Sequence, residues 1–208
     1  MYSTGITCSS GDGPAGLSGE NTSPRLALEY RPRDNLMFWG SWTRGFRSGN
    51  YNARAPSIAA LGPADPEQAD QIEVGMKGDF ADGRLRANVA AFYTIYDEIQ
   101  RVTNGEDALG NPLQLLRNAA EASIPGLEAE LSWVPTDQLL LMASIGWIDP
   151  SFDKFTGLNL GAPTDEENER LAKQLEFERV PTFEYTLVGE YTVPLSDLGD
   201  LTFRAQYA

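Results

Sequence analysis

The sequence predicts an all-β protein, an antiparallel meander of about eight strands. Three observations carry this. Apolar residues recur at every second position over long runs, polar turn clusters separate those runs, and no helical period of comparable strength competes. In the first pair, Leu26, Leu28 and Tyr30 lead through a turn at Pro32 to Asn35 into Leu36, Phe38, Gly40 and Trp42. In the second, Ile72, Val74, Met76 and Phe80 alternate with Gln71, Glu73, Lys77 and Asp79. The hairpin residues Ala81-Asp82-Gly83 then give Leu85, Ala87, Val89, Ala91, Tyr93 and Ile95 on one face, with Arg84, Arg86, Asn88, Thr94 and Tyr96 on the other.

The third pair sets Leu127, Ala129, Leu131 and Trp133 against Glu128, Glu130 and Ser132, turns at Pro135-Thr136-Asp137, and resumes at Leu139, Leu141, Ala143, Ile145 and Trp147. The fourth sets Phe183, Tyr185, Leu187, Tyr191 and Val193 against Thr182, Glu184, Thr186, Glu190 and Thr192. It turns through Pro194 to Asp200 into Leu201, Phe203, Ala205 and Tyr207, which alternate with Thr202, Arg204 and Gln206.

The connections alternate in length. Short turns at 32–35, 81–83, 135–138 and 194–200 take turns with long loops at about 45–69, 97–113 and 149–179. All short turns then share one rim of the sheet. This is the layout of bacterial outer-membrane barrels, with short turns periplasmic and long loops outside. Alternation alone also fits a soluble β-sandwich binding module, whose apolar face would lie inside. Aromatic residues at both ends of the runs, such as Tyr30, Phe80 and Trp133 against Trp42 and Trp147, match two interfacial girdles.

Composition narrows the chemistry. Lys+Arg 16 against Asp+Glu 30 leaves a net charge of −14, with no histidine and one cysteine. Histidine triads and His- or paired-Cys zinc sites are excluded, and no catalytic, cofactor-binding or metal residue is expected. Cys8 has no thiol partner in the chain and reads as an ordinary loop cysteine. The acidic balance argues against a nucleic-acid partner. The longest apolar run, Leu139 to Ile148, falls short of the roughly 18 residues of a membrane helix. Met1 to Ser10 lacks the basic residue and apolar core of a secretory signal.

Ordered motifs then point to a family. Gly45 to Asn52 reads G-F-R-S-G-N-Y-N and is followed by Pro66-Glu67-Gln68 and I-E-V-G-M-K-G-D-F. Further on come A-A-F-Y-T-I-Y-D-E-I-Q at Ala90 to Gln100, R-N-A-A-E-A at Arg117 to Ala122 and I-P-G-L-E-A-E-L at Ile124 to Leu131. The series resembles TonB-dependent outer-membrane receptors over about Ser23 to Ala208. That resemblance implies a barrel of about 22 strands around a plug, importing a scarce nutrient, most simply a ferric siderophore or similar iron chelate, with energy from the TonB complex. Such a barrel would sit in the bacterial outer membrane against its lipid.

Against that pattern the chain is expected to be a fragment, with residues 1–24 a Gly/Ser-rich loop-like segment and 25–208 a partial barrel lacking the plug that contacts TonB. A passive porin or adhesin barrel shares the fold and stays open.

Site candidates are few. Arg47, Tyr51 and Arg54, with Arg44 and Phe46, mix positive charge and aromatic surface suited to an anionic chelate, or else anchor the loop to its neighbours. The acidic run Asp165-Glu166-Glu167 with Glu169 lacks the spacing of a calcium loop and reads as a solvated segment. Arg84, Arg86, Glu128, Glu130, Glu184, Glu190 and Arg204 are expected to pair across the polar face and grip a plug.

Overall fold

A computed structural model describes residues 21–53, 55, 60–106, 110, 112–155, 164–177 and 179–208. Cys8, Arg54 and the first twenty residues lie outside them. The described chain forms β1 (Arg25–Arg33), β2 (Leu36–Arg47), β3 (Glu67–Phe80), β4 (Leu85–Glu106), β5 (Pro112–Thr136), β6 (Leu139–Ile148), β7 (Ser151–Phe155), α1 (Asp165–Ala172), β8 (Phe183–Pro194) and β9 (Asp200–Tyr207). Eight strands pair in the order β1-β2-β3-β4-β5-β6-β8-β9, and β7 pairs β5 beyond the end of β6. Every pairing is antiparallel.

The period-two pattern explains the register. Because Ile72, Trp42 and Tyr93 lie side by side on neighbouring strands, their side chains share one face, while Lys77, Asn88 and Glu130 share the other. The apolar face is uncovered. Val89 is 37% exposed, Leu187 49% and Leu28 76%, and Leu85 is half-buried, so no second layer packs on it among the described residues. A sandwich would have buried these side chains.

On the polar face, two glycines admit large aromatics. A Cβ at Gly75 would lie 2.6 Å from the Trp39 indole, and the Phe92 ring occupies the corresponding space at Gly126.

Two expectations need correction. The segment 97–113, expected as a long loop, is mostly strand: β4 and β5 are 22 and 25 residues long and continue as a hairpin far past the apolar band. The alternation lost its phase because the register shifts between Tyr96 and Gln100, where Glu98 adopts φ 55°. The segment 149–179, expected as a long loop, holds β7 and α1, making nine strands among the described residues where about eight were expected. β7 is too short to display a period. α1 carries only a local signal, Thr164, whose hydroxyl accepts from Glu167 N–H at 3.2 Å.

What hydrophobic core exists sits at this raised end, not under the sheet. Ile99, Ala119, Ala120, Ala122, Phe152 and Phe155 cluster there, with Tyr96 and Phe177 packed against them.

Candidate functional site

The long-loop rim is held by a polar network. Glu67, at the start of β3 and 1% exposed, accepts from Arg47 Nη1 at 2.6 Å and from the Gln100 backbone N–H at 3.3 Å. Gln100 donates through Nε2 to the carbonyls of Ser48 and Asp65, both at 2.9 Å. Asn118 accepts from Asp65 N–H at 2.6 Å and donates to the carbonyls of Asp65 and Glu98 at 2.8 and 2.7 Å. Asn52 donates to Gln114 O at 2.7 Å and Ala60 O at 3.2 Å. A backbone bridge between Asn50 and Ala64 closes the loop on itself. The segment after β2 is thus stapled to the raised β4–β5 hairpin by three amide side chains, each satisfying backbone groups that no strand ladder reaches.

Within this frame Arg47 leans on Glu67, yet its side chain stays 61% exposed, while Tyr51 is buried. Arg54 lies outside the described residues. The structure therefore sets Arg47 at the end of β2 and Tyr51 in the loop that follows, without exposing both.

Beside them stands a group that the sequence did not mark. Phe152 stacks on Phe177 with centroids 4.3 Å apart and meets Phe155 edge-on at 5.3 Å. The Arg101 guanidinium lies 5.6 Å from the Phe152 centroid and 5.9 Å from that of Phe177. Arg101 and Phe177 come from segments with no alternation, so only their assembly in three dimensions reveals the cluster.

On the apolar face, just past the band, Arg44 makes a bidentate pair with Asp70, both bonds 2.9 Å, and Trp42 Nε1 adds a third donor at 3.1 Å. Those hydrogen bonds, Arg44's first, hold the Asp70 carboxyl below the usual carboxylate range. Asp97 is shifted the other way, by burial first and then by the charges of Glu121 and Asp70.

The polar face forms a shallow groove lined by Trp39, Glu73, Lys77, Asn88, Glu128 and Glu184. Its expected cross-strand pairing is only partly realised. Arg204 meets Glu190 at 3.8 Å, and Arg86 pairs across the β3–β4 ladder with Asp79, a partner from outside the expected set, at 2.7 Å; Arg84 turns to Asp137 at 2.7 Å, and Glu130 accepts from Asn88 at 3.2 Å. The acidic run at 165–169 belongs to α1, where Glu167 pairs with Arg170 at 3.4 Å.

Comparison with known proteins matches this architecture. The family model described as TonB dependent receptor-like, beta-barrel matches residues 3–208. The ferric-pyoverdine 358 receptor of Pseudomonas putida is 30% identical over 171 residues, covering 81% of this chain and 19% of that protein. The metal-pseudopaline receptor CntO of Pseudomonas aeruginosa is 24% identical over 169 residues, covering 81% and 20%. The chain thus spans about a fifth of the length of these relatives. Among solved structures, the ferric preacinetobactin receptor BauA of Acinetobacter baumannii superposes with a TM-score of 0.67 at 19% identity, covering 95% of this chain and 26% of that one. The ferric yersiniabactin uptake receptor FyuA of Yersinia pestis gives 0.64 at 19% identity, covering 86% and 24%.

Proposed function

Because the chain belongs to the TonB-dependent receptor β-barrel family, we propose that it is one part of an outer-membrane receptor that imports a metal chelate, most simply a ferric siderophore. The carrying observation is the family match from residue 3 to 208, with the described strands forming one antiparallel ribbon whose apolar face is left uncovered. In this reading Leu85 to Tyr93 of β4, nine positions, crosses the hydrocarbon, in keeping with the roughly 9–11 residues a tilted strand needs, and Asp70, level with Ile95, lies past it. The polar face looks into the lumen, where a plug domain supplied from elsewhere in the receptor would meet the groove at Glu73, Glu128 and Glu184. Energy would reach that plug from the TonB complex.

The substrate class is drawn from the relatives, whose names are those of receptors for metal chelates. The rim offers fitting chemistry. Arg47 keeps guanidinium donors accessible to an anion. No catalytic step is proposed, since the polar groups described above are paired for structure or spaced along strands.

The test is uptake of radiolabelled ferric chelates by iron-starved cells carrying or lacking the complete gene. Uptake that is lost on deletion and abolished by a protonophore supports the proposal. Deletion without effect across a panel of chelates refutes the substrate class, and uptake insensitive to the protonophore refutes energised import in favour of a passive pore.

A further inference from the structure

We infer that the β8–β9 turn is a lipid-seating foot, with Leu195, Leu198 and Leu201 lodged at the boundary between acyl chains and headgroups of the periplasmic leaflet. This rests on the reading that the apolar face meets lipid. The other described short turns end in polar tips: Asp34-Asn35, Asp82 and Asp137-Gln138. The β8–β9 turn instead presents Leu198, 89% exposed and the most exposed large apolar side chain among the described residues, flanked by Leu195 at 43% and Leu201 at 46%. An apolar cluster so open to water is a liability unless something apolar covers it.

Its place in the fold says what that is. Leu195 follows directly on β8, whose outward row is Leu187, Tyr191 and Val193, and Leu201 opens the row Leu201, Phe203, Ala205 and Tyr207 of β9. The leucines are therefore continuous with the band proposed to face acyl chains. The rim of short turns is the periplasmic one in barrels of this type, which assigns the leaflet.

The turn's backbone is also suited to a medium poor in hydrogen-bond partners. Leu195 N–H donates to Gly199 O at 2.8 Å, Leu198 N–H to Leu195 O at 3.2 Å and Gly199 N–H to Ser196 O at 3.4 Å, closing a compact 3-10 turn. These bonds satisfy three of the turn's amides internally, and those of Ser196 and Asp197 are left to the headgroup layer, which suits an element seated at the membrane edge and not within the acyl chains. Depth is limited by Asp197 and Asp200, both exposed, whose carboxylates keep the turn at headgroup level and not deeper.

The experiment places a nitroxide on Leu198→Cys in the complete receptor, cysteine-free elsewhere and reconstituted in phosphatidylethanolamine–phosphatidylglycerol bilayers. Collision rates with oxygen, which favours lipid, and with a neutral nickel chelate, which favours water, are measured there and at two references, Leu187→Cys in mid-band and Asp82→Cys on a polar turn. The expected oxygen-to-nickel ratio at position 198 is several-fold above that at 82 and below that at 187. A ratio equal to that at 82 overturns the inference and leaves the lipid-facing band standing, as does exclusion of both reagents, which marks a protein cover. An aqueous ratio at 187 overturns the band itself, and the inference with it.

Discussion

Replacing Gln100 by Leu probes the staple that ties the loop after β2 to the raised hairpin. The wild-type amide donates two hydrogen bonds, to Ser48 O and Asp65 O, at 2.9 Å each, and the side chain is 7% exposed. Leucine has similar volume but no donor, so both carbonyls lose their partner. Each such bond contributes about 1 kcal/mol net, and leaving a partly buried acceptor unpaired adds to the loss. Against that, Gln100 Oε1 is buried with no partner among the described residues, and its removal recovers part of the cost. The balance is about 1–2 kcal/mol of local opening free energy, or roughly 5- to 30-fold in the opening constant. Amide hydrogen exchange reads this directly. The Asn50 and Asn52 amides, bonded to Ala64 O and Leu61 O, should exchange faster by that factor, while β6 amides keep their wild-type rates. Unchanged exchange at Asn50 and Asn52 would refute the staple, and acceleration in β6 as well would show a global effect.

Other expectations follow from the same structure. Leu187→Arg, on the apolar face, should lower barrel stability by about 2–4 kcal/mol at mid-bilayer, whereas Thr186→Arg on the polar face should be tolerated; equal effects in an assembly or urea-unfolding assay would contradict the facing. Gly126→Ala should cost about 1–3 kcal/mol by displacing the Phe92 ring, and Phe92→Leu in the same chain should recover most of it, read as a double-mutant cycle on the unfolding midpoint. Asp70 and Asp97 give opposite pH slopes. Asp70, depressed by Arg44, stabilises fully above about pH 4, the unfolded value, and loses that contribution as pH falls through its lower folded value. Asp97, raised, costs stability as pH climbs from about 4 through its folded value, so Asp97→Asn should gain stability near neutrality and Asp70→Asn should flatten the acid limb of a thermal-midpoint series.

The strands were legible wherever one face is apolar and the other polar, because side-chain direction reverses at each residue and the two faces meet different surroundings. Past the band both faces of the β4–β5 hairpin meet polar or mixed surroundings, and residues such as Gln100, Arg101, Val102 and Thr103 show no alternation although the ladder continues through them. Backbone hydrogen bonds sustain that strand, and they leave no mark on residue type. The rim network was half visible. Asn52, Glu67, Gln100 and Asn118 each fall inside a motif read as a landmark, yet nothing in the separate motifs shows that they converge. Their meeting gives those landmarks a physical role as joints between loop and hairpin. Arg101 with Phe152 and Phe177 lay outside any motif, since cation–aromatic contact needs no fixed spacing along the chain.

Apart from β7, each described strand pairs only with the strand before and the strand after it along the ribbon. Such a chain has no distant closure to wait for within this segment, so it can be laid down by sequential zippering, each finished strand serving as the template for the next, and a lesion in one hairpin stalls growth at that point while leaving the earlier strands intact.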